Sequence, residues 1–190
     1  MSESNNVQIK LTKASKTLFW KYGIKRVTVE EICEQAEVSK MSFYRHFKNK
    51  EAIAETLIEQ LFKISKKRYE EIMDRDDDFR IKVDLLVKFK YEEVQGISEE
   101  FINDIFRKDN SSLSLKFDNL SQQSLKQIRR DFSKAQQQGE IRNDLNIDFM
   151  MYMLDDMNKK LVDKELHKLY KTEDALVMEL TNFFFYGILP

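Results

Sequence analysis

The sequence predicts an all-α protein, and three observations carry that expectation. It holds only four Gly, and its single Pro is Pro190, the last residue. Sandwiches and α/β folds need many turn formers, so this composition favours long helices with short joints. Apolar residues recur every three to four positions along most of the chain, the spacing of a helix that buries one face. Capping residues stand where those stripes begin: Thr28, Ser39 and Asn49 in the first fifty residues. The 42% hydrophobic and 34% charged content is that of a soluble globular protein. A chain of 190 residues buries roughly 70% of its unfolded surface, enough for a core without covalent staples.

Several classes are excluded by the same numbers. A lone Cys33 makes no intrachain disulfide, which removes the oxidised secreted scaffolds. No apolar run approaches the ~20 residues of a membrane span. The opening MSESNNVQIK has no apolar signal core. A cytoplasmic protein without membrane contact is expected.

Charge is uneven along the chain. Residues 7–50 hold ten Lys/Arg against four Glu, a net of +6, while residues 51–190 hold 22 basic and 28 acidic side chains, a net of −6. A basic first quarter on an acidic remainder suits an end that meets a polyanion.

The first helix is expected from Asn6 to Tyr22, with Leu11, Ser15, Leu18 and Tyr22 on its buried stripe and Gly23 as its left-handed stop. Thr28 and Glu31 have the spacing of a capping box and open a second helix that ends near Ala36. Val29, Ile32, Cys33 and Ala36 share one face of it. Cys33 on that face reads as buried filler rather than as a thiol sensor. Ser39 caps a third helix, from Lys40 to about Phe47, with Val38, Phe43 and Phe47 pointing inward. Asn49 caps a fourth at Lys50.

Two short helices joined by a tight turn, after a longer supporting helix, form a helix-turn-helix unit whose second member enters the major groove. The free face of that member carries donors and rings: Lys40, Met41, Ser42, Tyr44, Arg45 and His46. Such a face suits phosphates and base edges better than the mixed Glu/Lys surface of an ordinary helix does.

The stretch Leu18-Phe19, Tyr22-Gly23, Val27-Thr28-Val29, Ile32, Ala36, Val38-Ser39-Lys40 and the run SFYRHFKNKE from Ser42 to Glu51 resemble the TetR family of bacterial transcriptional regulators. The resemblance covers about residues 9–60. It implies DNA contacts from Thr28, Lys40, Ser42, Tyr44, His46 and Lys50. Each has a plainer role beside it: a helix cap for Thr28, a solvated charge for Lys40, helix filler for Ser42, a core ring for Tyr44 and a structural imidazole for His46. Lys50 at the start of the fourth helix pairs well with phosphate. Arg45 serves a phosphate or a neighbouring Glu. Two residues depart from the family pattern. Glu37 stands where Gly is usual in the turn, and is strained if its φ is positive. Met41 stands where Gly is frequent, and its bulk alters the bases accepted.

The remainder predicts helices at about Lys50–Met73, Phe79–Gly96, Glu99–Arg107, Leu120–Gln138, Ile147–Leu169 and Thr172–Ile188, about nine helices in all. The polar, Ser-rich stretch Asp109–Asn119 reads as a loop. The last two helices are apolar over more than one face: Ile147, Met150, Met151, Leu154, Met157 and Leu161 on one, Leu176, Leu180, Phe183, Phe184 and Gly187 on the other. A stripe that wide packs on two things, and a two-fold dimer that buries four such helices meets the need. The expected interface is Met151, Leu154, Leu161, Leu176, Leu180, Phe183, Phe184 and Gly187, and the resemblance implies the same.

The resemblance also implies an apolar effector pocket in the C-terminal part. The candidate rings are Phe62, Phe89, Phe106, Phe132 and Tyr152, which serve equally as core. The expected organisation is a helix-turn-helix DNA-binding domain over residues 1–50 and a helical effector-binding and dimerisation domain over residues 51–190. The expected function is a homodimeric repressor, bacterial, cytoplasmic and nucleoid-associated. It would be released from a palindromic double-stranded DNA operator by a small apolar effector. No cofactor, metal or catalytic residue is expected: the two His lie far apart in sequence, and no nucleophile–base pair stands out. The rival readings are a constitutive chromosome-organising or division factor without an effector, an enzyme, and a plain helical interaction bundle.

Overall fold

A computed structural model describes residues 3–106 and 111–189. Ten helices and no strand occur among them: α1 Glu3–Tyr22, α2 Val29–Ala36, α3 Lys40–His46, α4 Lys50–Met73, α5 Phe79–Val94, α6 Glu99–Phe106, α7 Ser112–Gln137, α8 Ile147–Lys160, α9 Lys164–His167 and α10 Glu173–Gly187. The chain divides into two compact units. Met1–Phe62 joins Ile97–Phe117 in the first, and Lys63–Gly96 joins Asp118–Pro190 in the second.

The first unit is assembled around α1, which packs on α2 and α6, while α2 packs on α3. Its core contains Leu11, Phe19, Ile24, Val27, Ile32, Cys33, Phe43, Phe47, Ile53, Leu57, Phe101 and Ile102, all buried. Gly23 stops α1 with φ 79°, and its N–H donates to Phe19 O at 2.9 Å. A side chain there would meet α6, since an added Cβ falls 2.8 Å from Glu100 Cβ and 2.9 Å from Asp104 Oδ2. Three further contacts hold α6 on the end of α1. Ser98 N–H donates to Trp20 O at 3.0 Å, Lys25 N–H donates to Asp104 Oδ2 at 2.9 Å, and the Trp20 and Phe101 rings lie 4.6 Å apart.

The expected loop at Asp109–Asn119 is corrected over Ser112–Asn119, which is the first part of α7; Asp109 and Asn110 lie outside the described residues. The Ser-rich run is a helix start. Ser111 Oγ accepts from Ser114 N–H at 3.2 Å, and Ser112 Oγ donates to Glu55 Oε1 of α4 at 2.7 Å. Lys116 then bridges Glu55 and Glu59 at 3.2 and 2.6 Å. Phe117 sits edge-on to Phe62 and Phe106. The polar composition hid buried Leu113 and Ser114.

The second unit packs α5 against α10. Its core cluster is Phe79, Val83, Phe132, Ala135, Ile141, Met150, Phe184 and Ile188. Gly139, with φ 80°, turns the chain after α7, and Gln136 donates to Arg142 O and Leu145 O across the following joint. The helix expected over Ile147–Leu169 is broken, and the short α9 brings the number among the described residues to ten. Leu161–Asp163 separate α8 from α9, and Asp163 Oδ1 caps α9 by accepting from Glu165 N–H at 3.0 Å. His167 closes the break. Its Nε2 lies 2.8 Å from Leu161 O, which it serves as donor, and its Nδ1 lies 2.7 Å from Glu173 Oε2 of α10. No described helix is long and apolar enough to cross a membrane.

Candidate nucleic-acid interface

The helix-turn-helix consists of α2, a turn at Glu37–Ser39, and α3. Local chemistry builds both ends. Thr28 Oγ1 accepts from Glu31 N–H at 3.2 Å, and Glu31 Oε2 accepts from Thr28 N–H at 2.8 Å, the full capping box. These bonds to Thr28, the backbone one foremost, hold the Glu31 carboxyl below its usual range. The turn is closed by Val38 N–H donating to Cys33 O at 3.0 Å. It requires Glu37 at φ 55°, ψ 46°, the left-handed region, so the strain expected of a non-glycine residue there is present. Ser39 caps α3, with its Oγ accepting from Ser42 N–H at 3.1 Å.

Two rings fasten α3 from beneath. Phe43 and Phe47 are buried and lie 5.9 Å apart. Everything between them is turned outward or half outward. Tyr44 is 57% exposed, so it is not the core ring that was its plainer reading. It stands edge-on to Phe43 at 5.4 Å, which holds the phenol upright on the surface. Ser42 is half-buried, and its Oγ lies 3.0 Å from Ser39 Oγ. His46 is half-buried beside exposed Arg45. The helix therefore presents one anchored hydroxyl, one phenol, an imidazole and two cations on a single free side. Such a set donates to phosphate and reads base edges.

Both outer lysines are held in place. Lys40 Nζ makes an ion pair with Glu30 of α2. This bond, chiefly, lowers the Glu30 carboxyl and raises the Lys40 ammonium from their ordinary ranges. Sequence reasoning missed Glu30 as the partner; its position two residues after the Thr28 cap was the available signal. Lys50 Nζ donates to Lys25 O at 2.8 Å and keeps two further N–H groups for an anion. Arg45 donates to Met41 Sδ at 3.6 Å. Thr28 is exposed, but its hydroxyl already donates to Glu31 Oε2 at 3.0 Å, so an arriving phosphate competes with a carboxylate there. Cys33 is buried, and burial pushes its thiol up, in keeping with a packing role. Beside α2 an open groove of about 460 Å³ is lined by Leu18, Tyr22, Arg26, Glu31, Glu34, Gln35 and Glu37. Three carboxylates to one guanidinium make that side unsuited to a polyanion.

Of the five candidate pocket rings, two lie in the first unit and three in the second. In the first unit, Phe62 and Phe106 both pack on Phe117. In the second, Phe132 is fully buried in the core, 5.7 Å from Phe79 and 6.5 Å from Phe184. Phe89 is half-buried. Tyr152 is 65% exposed on α8, with Lys159 Nζ 5.9 Å from its ring. Burial first, and the Asp131 carboxylate second, hold the Tyr69 phenol far above its usual range, so it stays uncharged.

The eight candidate interface residues also separate. Leu161, Leu176 and Phe184 are buried within their own chain; Phe184 belongs to the core cluster, against which Met151 and Leu154 pack. Leu180 is half-buried and Gly187 exposed. Phe183 is 73% exposed, and Tyr186 on the same helix and Phe149 and Tyr152 on α8 are exposed with it. The wide apolar stripes marked both faces of each helix without saying which one the chain itself covers.

Residues 11–57 match the family model described as bacterial regulatory proteins, tetR family. Among solved structures, the chain is similar to the fatty acid degradation regulator FadR from Bacillus halodurans, at 16% identity and a TM-score of 0.73, covering 98% of this chain and 97% of that one. It is similar to FadR from Bacillus subtilis in complex with stearoyl-CoA, at 20% identity and a TM-score of 0.70, covering 95% and 98%. It is also similar to the regulatory protein TetR from Rhodobacter sphaeroides, at 18% identity and a TM-score of 0.75, covering 95% and 98%. A search of curated proteins returned no match.

Proposed function

From a chain whose residues 11–57 form the helix-turn-helix DNA-binding domain of the TetR family of regulators, we propose that it is a sequence-specific transcriptional repressor rather than an enzyme. It acts as a homodimer on a near-palindromic operator and leaves it when a small, largely apolar effector binds. The single observation that carries the reading is the free side of α3, where Lys40, Ser42, Tyr44 and His46 stand over the buried Phe43 and Phe47. Lys40, Tyr44, His46, Thr28 and Lys50 are assigned to phosphate or groove contacts, with Ser42 at a base edge.

Dimerisation is supported by the exposed rings Phe149, Tyr152, Phe183 and Tyr186 on α8 and α10. Exposed large apolar side chains are candidates for an interaction surface where they adjoin, and a two-fold axis would supply an identical surface to meet them. A dimer matches a palindrome through half-sites one helical turn apart.

The first effector class to test is the long-chain acyl-CoA thioesters, since two of the similar regulators are named for fatty acid degradation or bear stearoyl-CoA. Release requires only that the effector prefer the form that does not bind DNA. A 100-fold loss of operator affinity needs about 2.7 kcal/mol of such preference.

The test is retardation of the organism's own genomic fragments, followed by a salt titration on the fragment retained. Lys40→Ala with Lys50→Ala should flatten the dependence of log affinity on log salt by roughly two units, one per lost phosphate contact. An unchanged slope removes both residues from the interface. Failure to retard any fragment at low ionic strength removes the function itself.

A further inference from the structure

We propose that Met41 is a specificity-determining residue that reads the 5-methyl group of a thymine in each operator half-site. The inference rests on the DNA-binding reading above and extends it to one atom of one base. Met41 is 68% exposed in the first turn of α3, although it is among the most apolar side chains of the domain. The Arg45 guanidinium donates to its sulfur at 3.6 Å. An exposed thioether on an ordinary helix is a scattered surface apolar residue. This one stands one residue after Lys40 and three before exposed Tyr44, within the group that faces the groove.

In the major groove only the thymine methyl offers an apolar contact; every other edge presents donors and acceptors. The residues of a recognition helix that reach base edges are those of its first turns, which is where Met41 lies. Its flexible, polarizable side chain adapts to a methyl group at van der Waals distance. The Arg45 contact restricts that freedom before DNA arrives, and it places a cation beside the methyl reader, where a phosphate or a guanine edge is in reach. Met41 thus supplies shape and apolar contact, and its charged neighbours supply affinity.

The experiment selects binding sequences from a randomised duplex pool with the wild-type protein. Each thymine of the selected site is then replaced singly by deoxyuridine, which removes the methyl and nothing else. One symmetric pair of replacements should weaken wild-type binding by about fourfold per half-site, the effect of one buried methyl group. The same replacements should leave Met41→Ala unaffected, whereas Met41→Leu, which keeps an apolar tip, should retain the penalty. Equal penalties in wild type and Met41→Ala, or no penalty at any thymine in wild type, overturn the assignment while leaving DNA binding intact. Failure to enrich any sequence overturns the DNA-binding reading and the assignment with it. The two failures are told apart by whether a site is recovered.

Discussion

Glu37 shows how much one residue reveals when its backbone is known. A left-handed non-glycine residue is disfavoured by about 1–2 kcal/mol, and Glu37 sits there with φ 55° because α2 and α3 require a tight turn between them. Glu37→Gly is expected to stabilise the protein by about 0.5–1 kcal/mol, since part of the relief is returned to the more flexible unfolded chain. Urea unfolding reads this directly, and an unchanged or lowered midpoint would show that the turn is unstrained. Glu30 gives a second residue-level expectation. Its ion pair with Lys40 must loosen for the ammonium to reach a phosphate. Glu30→Gln should therefore tighten operator binding, by up to about fivefold at low salt, the range of an exposed pair. Weaker binding would mean that Glu30 aims Lys40 rather than restraining it. The Thr28–Glu31 box and the Ser39 cap were legible in the sequence because each is decided within four residues. The Glu30–Lys40 pair was not, because it crosses a turn whose geometry no local pattern specifies.

Among the elements, α6 is the one whose placement sequence periodicity leaves open. Its apolar spacing marks a helix at Glu99–Phe106, and nothing in that stretch says that it closes on the end of α1. The contact depends on Gly23, where an added Cβ would lie 2.8 Å from Glu100 Cβ, and on the Asp104 carboxylate that accepts from Lys25 N–H. Gly23→Ala combines a positive φ with that overlap and should destabilise the protein by about 2 kcal/mol. Thermal unfolding that is indistinguishable from wild type would mean that α6 is not clamped there. Helix ends show the same division. α4 begins and ends at the expected residues because Asn49 caps it and an acidic, apolar-poor stretch follows it. The start of α7 was misplaced because Ser-rich composition suggests a loop, whereas Ser111 and Ser112 act as helix-capping and bridging groups once Glu55 is nearby. The break between α8 and α9 has no Gly or Pro to announce it. It is stabilised by His167, which meets Leu161 O on one side and Glu173 on the other.

For the whole molecule the deciding question is which apolar face remains free. On the proposed dimer, Phe183→Glu should give monomers in sedimentation and weaken operator binding, while the far-ultraviolet spectrum stays helical. Dimers that persist would move the interface away from Phe149, Tyr152, Phe183 and Tyr186. The same charge placed at Leu176 would be no test, since that side chain is buried within its own chain and its loss unfolds the unit instead.

Helical class, the caps and stops of the first fifty residues, the inward Phe43 and Phe47 and the outward polar side of α3 all follow from spacing and residue type alone. These are short-range matters: a cap, a left-handed stop or an amphipathic stripe is settled by neighbours within one or two turns. Packing across long sequence separations settled the rest. It paired Lys40 with Glu30, seated α6 on Gly23, put Phe132 in the core and Tyr152 on the surface, and chose which side of α10 the chain covers. A helix that is apolar on most sides has no preferred inner face until its neighbours occupy one, and a charge has no partner until a turn brings the opposite charge within reach.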